Sequence, residues 1–441
     1  MMAVAPLDPV EPLAGRRILV AGSGSIAAVK LPQLVSALVQ RGAKVRCLLS
    51  PSAAELVSPT ALASLSRHRC YLDADQWSHH EPRPLHIELA EWPDLVLLVP
   101  LSASTLARLV HGLADTLLAS TVMATRAPLL VAAAMNTDMW ESAAVQRNWQ
   151  QLQMDRDLLA LPPASQGLLA CDRRGSGRMV EPSLILQAAA SLAIQGDQRD
   201  LEGFELLVTA GPTQEFLDPA RLLSNPSTGL MGVLLAQAAR WRGAQVRLLH
   251  GPLQLELGLL EGLQCSPFGN AAELEQLLEC HQASAAAVLM TAAVADQRLR
   301  QPLSGKLNKQ QLQEVLQNPD SWEMVPDLLH QMVQRRHPGQ VLVGFAAHSG
   351  EVLPQAQAKF ERKGCELLFA NPIDQDGVGF AAPANQGWLL QQDAIPEALG
   401  PCSKLELAHL LLDRLKPLLE IRRPGRNGLE SLDRPHHPAA P

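Results

Sequence analysis

Short runs of Val, Leu, Ile and Ala, bounded by Gly, Pro or charged residues, recur at about 16–22, 44–49, 94–99 and 128–133. They recur again at about 205–209, 245–250, 286–291, 340–345 and 366–370. Such runs, lacking polar alternation, predict strands covered on both faces. The segments between them have helical length and period. Strands alternating with helices predict parallel sheets flanked by helices. The pattern opens twice with nearly one phrase. Residues 16–50 run from Arg-Arg-Ile-Leu-Val-Ala-Gly-Ser-Gly-Ser to Arg-Gly-Ala-Lys-Val-Arg-Cys-Leu-Leu-Ser. Residues 204–251 run from Phe-Glu-Leu-Leu-Val-Thr-Ala-Gly-Pro-Thr to Arg-Gly-Ala-Gln-Val-Arg-Leu-Leu-His-Gly. Each is strand, Gly-rich turn, helix and strand, the βαβ opening of a nucleotide-binding α/β domain.

Two openings in 441 residues predict two α/β domains, each a doubly wound, mostly parallel sheet. The first is expected at 15–194, flavodoxin-like or Rossmann-like, and the second, Rossmann-like, at 204–420. Gln-Gly-Asp-Gln-Arg-Asp at 195–200 is polar and turn-prone, so the linker is set at 195–203. The Pro/Ala-rich residues 1–14 and the Pro/Arg/Gly/His-rich residues 421–441 predict disordered ends. Residues 297–320 are irregular and polar, which predicts a functional loop.

Composition narrows the chemistry. Aromatics are only 3% with a single tyrosine, Tyr71, so both cores must be aliphatic. A net charge of −7 without a long basic run argues against nucleic acid as the partner. The seven cysteines, at 47, 70, 171, 265, 280, 365 and 402, form no CxxC pair. That fits a reduced cytoplasmic protein rather than a disulfide or zinc framework. No apolar stretch reaches membrane-span length and no signal-peptide pattern opens the chain.

In the first half, Gly22, Gly24 and Ala27 satisfy GxGxxA after a strand. A dinucleotide site would need an acid ending the second strand, but that strand ends Leu48-Leu49-Ser50. Ser23, Ser25, Ser50, Ser102 and Thr105 instead suit the single phosphate of a mononucleotide such as FMN. Their alternative reading is plain helix N-caps. Three further pieces are His86-Ile-Glu-Leu-Ala-Glu-Trp-Pro-Asp94, Ala133-Ala-Met-Asn136-Thr-Asp-Met139 and Ala170-Cys171-Asp172-Arg-Arg-Gly175-Ser-Gly177-Arg178-Met179. Singly they read as a cap, a cap and a loop cysteine.

Jointly, with Gly22 to Lys30, these pieces resemble phosphopantothenoylcysteine decarboxylases, members of the homo-oligomeric flavin-containing cysteine decarboxylases. The resemblance implies His86 beside the flavin, Asn136 on the substrate carboxylate and Cys171 as proton donor on a flap. The chain has Ala134 where the family usually has Pro, and Asp172 where Gly follows the flap cysteine. Retention of His86, Asn136 and Cys171 argues against a non-catalytic scaffold.

In the second half, Thr209-Ala-Gly-Pro-Thr213-Gln-Glu-Phe-Leu-Asp218-Pro-Ala-Arg221 precedes Ser224-Asn225-Pro-Ser-Thr-Gly229. Two Gly- and hydroxyl-rich turns before one helix make a phosphate cradle without a Walker lysine. Downstream stand Ala292-Ala-Val-Ala-Asp296, Lys306, Asn318-Pro-Asp320, Gly344-Phe345-Ala-Ala, and Lys359 with Lys363. A lysine pair four apart reads, alone, as a solvated helix face. Together the motifs resemble phosphopantothenate–cysteine ligases. That resemblance implies CTP contacts at Met290, Thr291, Ala292, Asp296, Lys306, Pro319, Asp320, Ser321, Trp322, Phe345, Lys359 and Lys363. It also implies Asn225 acting on an acyl-cytidylate, with Lys306 and Mg²⁺ stabilising transferred charge. Leu222, Leu230 and His348 depart from the usual Tyr, Lys and Glu. The metal ligands stay unassigned.

Both halves in this order resemble bacterial bifunctional coenzyme A biosynthesis proteins. The resemblance implies CTP-dependent ligation of 4′-phosphopantothenate with cysteine, then FMN-dependent decarboxylation to 4′-phosphopantetheine. It also implies trimeric decarboxylase contacts, with flavin sites near them, and dimeric ligase contacts.

Overall fold

The computed structural model describes residues 11–78, 83–165, 167, 174–375, 377, 379, 382 and 384–422. In the first domain the apolar runs form β1 (Arg17–Gly22), β2 (Lys44–Leu49), β3 (Cys70–Leu72), β4 (Leu95–Leu101), β5 (Leu129–Ala133) and β6 (Leu159–Leu161). They pair in parallel in the order β3-β2-β1-β4-β5-β6. Every residue of β4 and β5 is buried. The reason is visible in β1. Ile18 and Val20 enter one apolar core and Leu19 and Ala21 the other, so both faces of the pleat are covered. Strand order reverses between β1 and β4, which opens a crevice at the carboxyl edge.

The second domain contains β7 (Glu205–Ala210), β8 (Gln214–Asp218), β9 (Arg221–Ser224), β10 (Gln245–His250), β11 (Gln264–Pro267), β12 (Ala287–Met290), β13 (Gln297–Leu299), β14 (Trp322–Met324), β15 (Val341–His348), β16 (Leu367–Pro372), β17 (Ala384–Gln391) and β18 (Glu397–Ser403). Its main sheet runs β11-β10-β7-β12-β15-β16-β17-β18. Strands β11 to β16 in that order are parallel, and β17 and β18 join antiparallel. The reversal between β7 and β12 marks a second crevice. The hairpin of β8 and β9, and the pair β13 and β14, stand apart from this sheet.

Three expectations change. Residues 11–14 are not frayed, because Leu13 is fully buried in the first domain's core. Residues 297–320 are not irregular throughout: they hold β13, a helix Lys309–Gln317 and a 3₁₀ turn Pro319–Ser321. That helix is capped at Asn308, whose side chain accepts from the Gln311 amide while Gln311 returns a bond. The polar stretch at 195–203, expected as the linker, is held by side chains. Asp200 accepts two bonds from Arg242 at 2.8 and 2.7 Å, and Leu201 is fully buried. Of the predicted tail 421–441, Ile421 instead ends the helix Lys404–Ile421, while residues 423–441, like residues 1–10, lie outside the described residues.

The helix Pro182–Gln195 joins the two domains. It buries Leu184, Ile185, Leu186, Ala188 and Leu192, so it is apolar around most of its circumference. It packs on the helices Leu230–Trp241 and Lys404–Ile421 of the second domain. Ser191 Oγ and His409 Nε2 meet there at 2.9 Å.

Candidate active sites

At the carboxyl edge of the first sheet, the loops after β1, β4 and β5 enclose a cleft of about 430 Å³. Gly24, Ser25, Lys30, Ser102, Asn136 and Arg178 line it. Ser25, Ser50 and Ser102 each cap a helical turn, accepting from the amides of Ala27, Ala53 and Thr105. Ser50 also donates its amide to the Gly22 carbonyl, which holds the β1 and β2 loops together. The capping reading is therefore correct for these three hydroxyls. It is compatible with a ligand at the same helix starts.

Ser23 differs. It is fully buried, its hydroxyl donates to the Pro100 carbonyl at 2.7 Å, and it accepts from the Ser102 amide at 2.7 Å. Its amide also donates to Pro100. Ser23 thus fastens β1 to β4 and has no donor left for a phosphate. Thr105 is likewise buried, and its hydroxyl accepts from Ser102 Oγ at 3.3 Å. His86 is outside this cleft. Its helix, Leu85–Glu91, is held on the sheet by buried Leu85 and Leu89.

Asn136 caps the helix Thr137–Glu141, accepting from the Asp138 amide at 2.9 Å. The segment after the predicted flap is locked beside it. The Met135 amide donates to the Gly177 carbonyl at 2.9 Å, and Gly177 has φ 146°. A Cβ at Gly177 would collide with the Met135 carbonyl. Cys171 and Asp172 lie outside the described residues. The motif reading assigned no role to the charges here. Glu181 pairs with Lys30 at 2.8 Å and with Arg178. Burial, then the nearby Arg178 charge, holds the Lys30 pKa below the ordinary lysine value. Spacing alone could not reveal this trio, because Lys30 and Glu181 are 151 residues apart.

At the second crevice, three loops are stitched together by backbone bonds. The Ala293 amide donates to the Gly211 carbonyl at 3.0 Å, and the Thr213 amide to the Ala293 carbonyl at 3.1 Å. Asn225 Nδ2 donates to the Ala293 and Val294 carbonyls at 3.2 and 3.3 Å. Gly232 lets the helix Leu230–Trp241 approach β7, since a Cβ there would collide with the Thr209 carbonyl and the Ala210 side chain, as well as with Thr291 Oγ1. Met290 is buried, and the Thr291 hydroxyl donates to the Thr209 carbonyl, so that hydroxyl has no donor left for a ligand. Ala292 follows β12, and Phe345 lies on β15 one residue past its pairing with β12.

The segment Pro319, Asp320, Ser321 and Trp322 runs into β14, which pairs with β13 directly after Asp296. The Val325 amide donates to the Asp296 carbonyl at 2.9 Å. Lys363 pairs with Asp327, and its side chain is only 12% exposed. The solvated-face reading of the lysine pair is therefore wrong. Burial first, then the charges of Lys363 and Arg362, lowers the Lys359 pKa, while Asp296 and Asp327 oppose. His348 adjoins this group. Burial and Lys359 lower its pKa, and its Nε2 is buried without a partner. Lys306 is exposed on the loop between β13 and the helix Lys309–Gln317. Leu230 starts the helix Leu230–Trp241, so no lysine stands at that first position. Leu222 is 40% exposed on β9. No group of three or more His, Cys, Asp or Glu suited to a metal occurs among the described residues.

Family models match both halves. Residues 8–193 match the Flavoprotein family, and residues 201–418 match the DNA/pantothenate metabolism flavoprotein C-terminal domain. The coenzyme A biosynthesis bifunctional protein CoaBC of Bacillus subtilis (strain 168) is 36% identical over 410 residues, covering 92% of this chain and 98% of that one. A solved PPC decarboxylase mutant, complexed with pantothenoylaminoethenethiol, is 35% identical and covers 39% of this chain and 94% of its own, with TM-score 0.36. The solved C-terminal domain of a CoaBC protein is 27% identical and covers 51% of this chain and 100% of its own, with TM-score 0.41. Sequence identity along almost the whole length, with a flavoprotein half ahead of the second domain, settles the assignment: the chain belongs to the CoaBC family of bifunctional coenzyme A biosynthesis enzymes, carrying decarboxylase and ligase activities.

Proposed function

We propose that the second domain joins 4′-phosphopantothenate to cysteine with CTP, and that the first decarboxylates the product to 4′-phosphopantetheine with FMN. The observation that carries this is the assembly of two separate crevices, each at a strand-order reversal, in one chain of this family.

The first cleft suits FMN. It offers hydroxyls and helix starts at Ser25 and Ser102. Ile26, Val29 and Met139 line the same cleft and are 55%, 55% and 48% exposed, an apolar surface fit for a flavin ring. The chemistry a bound FMN supplies is two-electron oxidation of the cysteinyl CH₂–SH, which gives the electron pair released with CO₂ a C=S to enter. Asn136 orients the substrate carboxylate as a neutral donor, which avoids over-stabilising its charge. Cys171 returns a proton. His86, outside its own chain's cleft, acts across a subunit contact of the decarboxylase trimer.

In the second crevice, Lys359 and Lys363 meet the triphosphate as point charges. Asp296 accepts hydrogen bonds from the nucleoside, and Pro319 to Trp322 and Phe345 enclose it. Mg²⁺ rides on the phosphates, in keeping with its preference for few protein ligands. Asn225 holds the acyl-cytidylate, and Lys306 stabilises negative charge as the cysteine amine displaces CMP. The ligase domains dimerise, and the enzyme works in a reducing cytoplasm.

The test is one incubation of the yellow protein with CTP, Mg²⁺, cysteine and 4′-phosphopantothenate, with products followed by mass. The expected product is 4′-phosphopantetheine, with the amide accumulating when flavin is stripped. A yellow preparation that forms no amide and releases no CO₂ from supplied phosphopantothenoylcysteine would refute the proposal.

A further inference from the structure

The loop carrying Lys306 has no strand or helix between residues 300 and 308. It is nevertheless anchored one residue past the lysine. Leu307 is buried, while Lys306 is exposed. The Leu307 amide donates to Asp218 Oδ2 at 3.1 Å. The Leu307 carbonyl accepts from Arg221 Nη1 at 3.1 Å, and the same Nη1 donates to Asp218 Oδ2 at 2.8 Å. One Asp–Arg pair thus grips both polar groups of a single residue. A third bond helps: the Leu303 amide donates to the Leu217 carbonyl at 3.1 Å.

The Asp218 side chain is wholly buried. Burial works against its charge. The Ala220 and Leu307 amides and the Arg221 charge outweigh that cost, and its pKa lies below the ordinary carboxylate value. Closing the turn from β8 to β9 needs only Oδ1, which accepts from the Ala220 amide at 2.7 Å. The other oxygen reaches a segment 89 residues away. A buried carboxylate aimed at one backbone amide, beside an otherwise unsupported lysine, is a positioning arrangement.

We propose that Asp218 is a positioning residue for ligation: with Arg221 it clamps the Lys306–Leu307 peptide to the β8–β9 hairpin and thereby sets where the Lys306 ammonium reaches. The proposal rests on the reading of Lys306 given above. The clamped amide belongs to the peptide bond that trypsin cuts after Lys306. Proteolysis therefore reports the clamp independently of activity.

The experiment uses the flavin-loaded full chain with Asp218→Asn, Lys306→Gln and the double variant. Asp218→Asn should quicken tryptic cleavage after Lys306 by about tenfold. It should lower ligase kcat by about a hundredfold, with decarboxylation of supplied phosphopantothenoylcysteine unchanged. The double variant should ligate no more slowly than Lys306→Gln alone, because a residue acting through Lys306 has nothing left to position. Arg221→Lys, which leaves Asp218 charged, should show the same changes to a smaller degree. A ligase kcat within about twofold of the parent, or losses that multiply in the double variant, would overturn the clamp's role. So would decarboxylation falling together with ligation. Normal ligation by Lys306→Gln removes the reading of Lys306 and with it this role for Asp218. Tryptic cleavage would still measure the clamp itself.

Discussion

Lys359 lies on the helix Val352–Lys363, with Arg362 and Lys363 close by and Asp296 on the facing loop. Folding places it in a half-buried cationic group, which lowers its pKa below the unfolded value. The sign follows from linkage. A lysine with a depressed folded pKa destabilises the fold below that pKa, where it is charged in both states. The penalty fades as pH rises to the ordinary lysine value near about 10.4. A bound polyphosphate would reverse this by compensating the charge. Lys359→Met should therefore leave the ligand-free melting temperature equal or higher, while weakening CTP about tenfold. Thermal melts with and without CTP check both parts, and a lower ligand-free melting temperature would contradict the argument. The lysine spacing was legible in the sequence, but its direction was not. A period of four fits an inward face as well as an outward one, and only Asp327 on another element decides it. Ser23 teaches the converse. Its place in a Gly-Ser-Gly turn suggested a ligand, yet the Pro100 carbonyl, 77 residues away, engages its hydroxyl.

At the scale of elements, long apolar runs were readable and short polar pieces were not. The parallel strands β1, β2, β4, β5, β7, β10, β12, β15 and β16 coincide with Val, Leu and Ile runs because both faces are covered. The hairpin of β8 and β9 escaped notice. Its alternation is broken by the exposed Phe216, Leu222 and Leu223, and one of its ties runs to the distant Leu307. Antiparallel β17 and β18 sit beside β16 with Asn, Gln and Gly in their runs, which masks the strand signal. The anchor just after the predicted flap was half legible. Gly177 stood out as glycine, but its close approach to Met135 needed coordinates. Gly177→Ala adds a Cβ at φ 146° against a carbonyl and should displace the segment that faces Asn136. Decarboxylation should fall at least about a hundredfold while ligation persists. Separate assays of the two half-reactions check this, and an Ala variant with full decarboxylase turnover would show that the close approach is dispensable.

For the whole molecule, the sequence indicated a polar linker, whereas the fold makes it a joint. Arg242 is 2% exposed and pairs with Asp200 of the connecting segment at 2.7 Å and Asp413 of the helix Lys404–Ile421 at 2.8 Å. Lys416 reaches the same Asp200 at 3.3 Å. Those charges could not be matched from sequence, since Arg242, just after the helix Leu230–Trp241, and Asp413, one of several charges on the helix Lys404–Ile421, lie far apart in the chain. Around them the helix Pro182–Gln195 buries its surface against the second domain, so one apolar core runs through both domains. Continuous burial predicts one cooperative unfolding transition for the full chain. Removing Arg242 leaves half-buried Asp413 without its cation and largely buried Asp200 with Lys416 alone, which costs about 3 kcal/mol. Arg242→Ala should therefore split the calorimetric transition into two, with the connecting joint opening first. Acid should do the same to the parent. Burial opposes the Asp200 charge, but Arg242 and Lys416 lower its pKa overall. That stability is present above the unfolded carboxylate value near about 3.9 and is lost as pH falls through the lower folded value. A single undivided transition in Arg242→Ala at neutral pH would mean that the apolar contacts of Pro182–Gln195 alone join the domains, and that the buried charges only set their register.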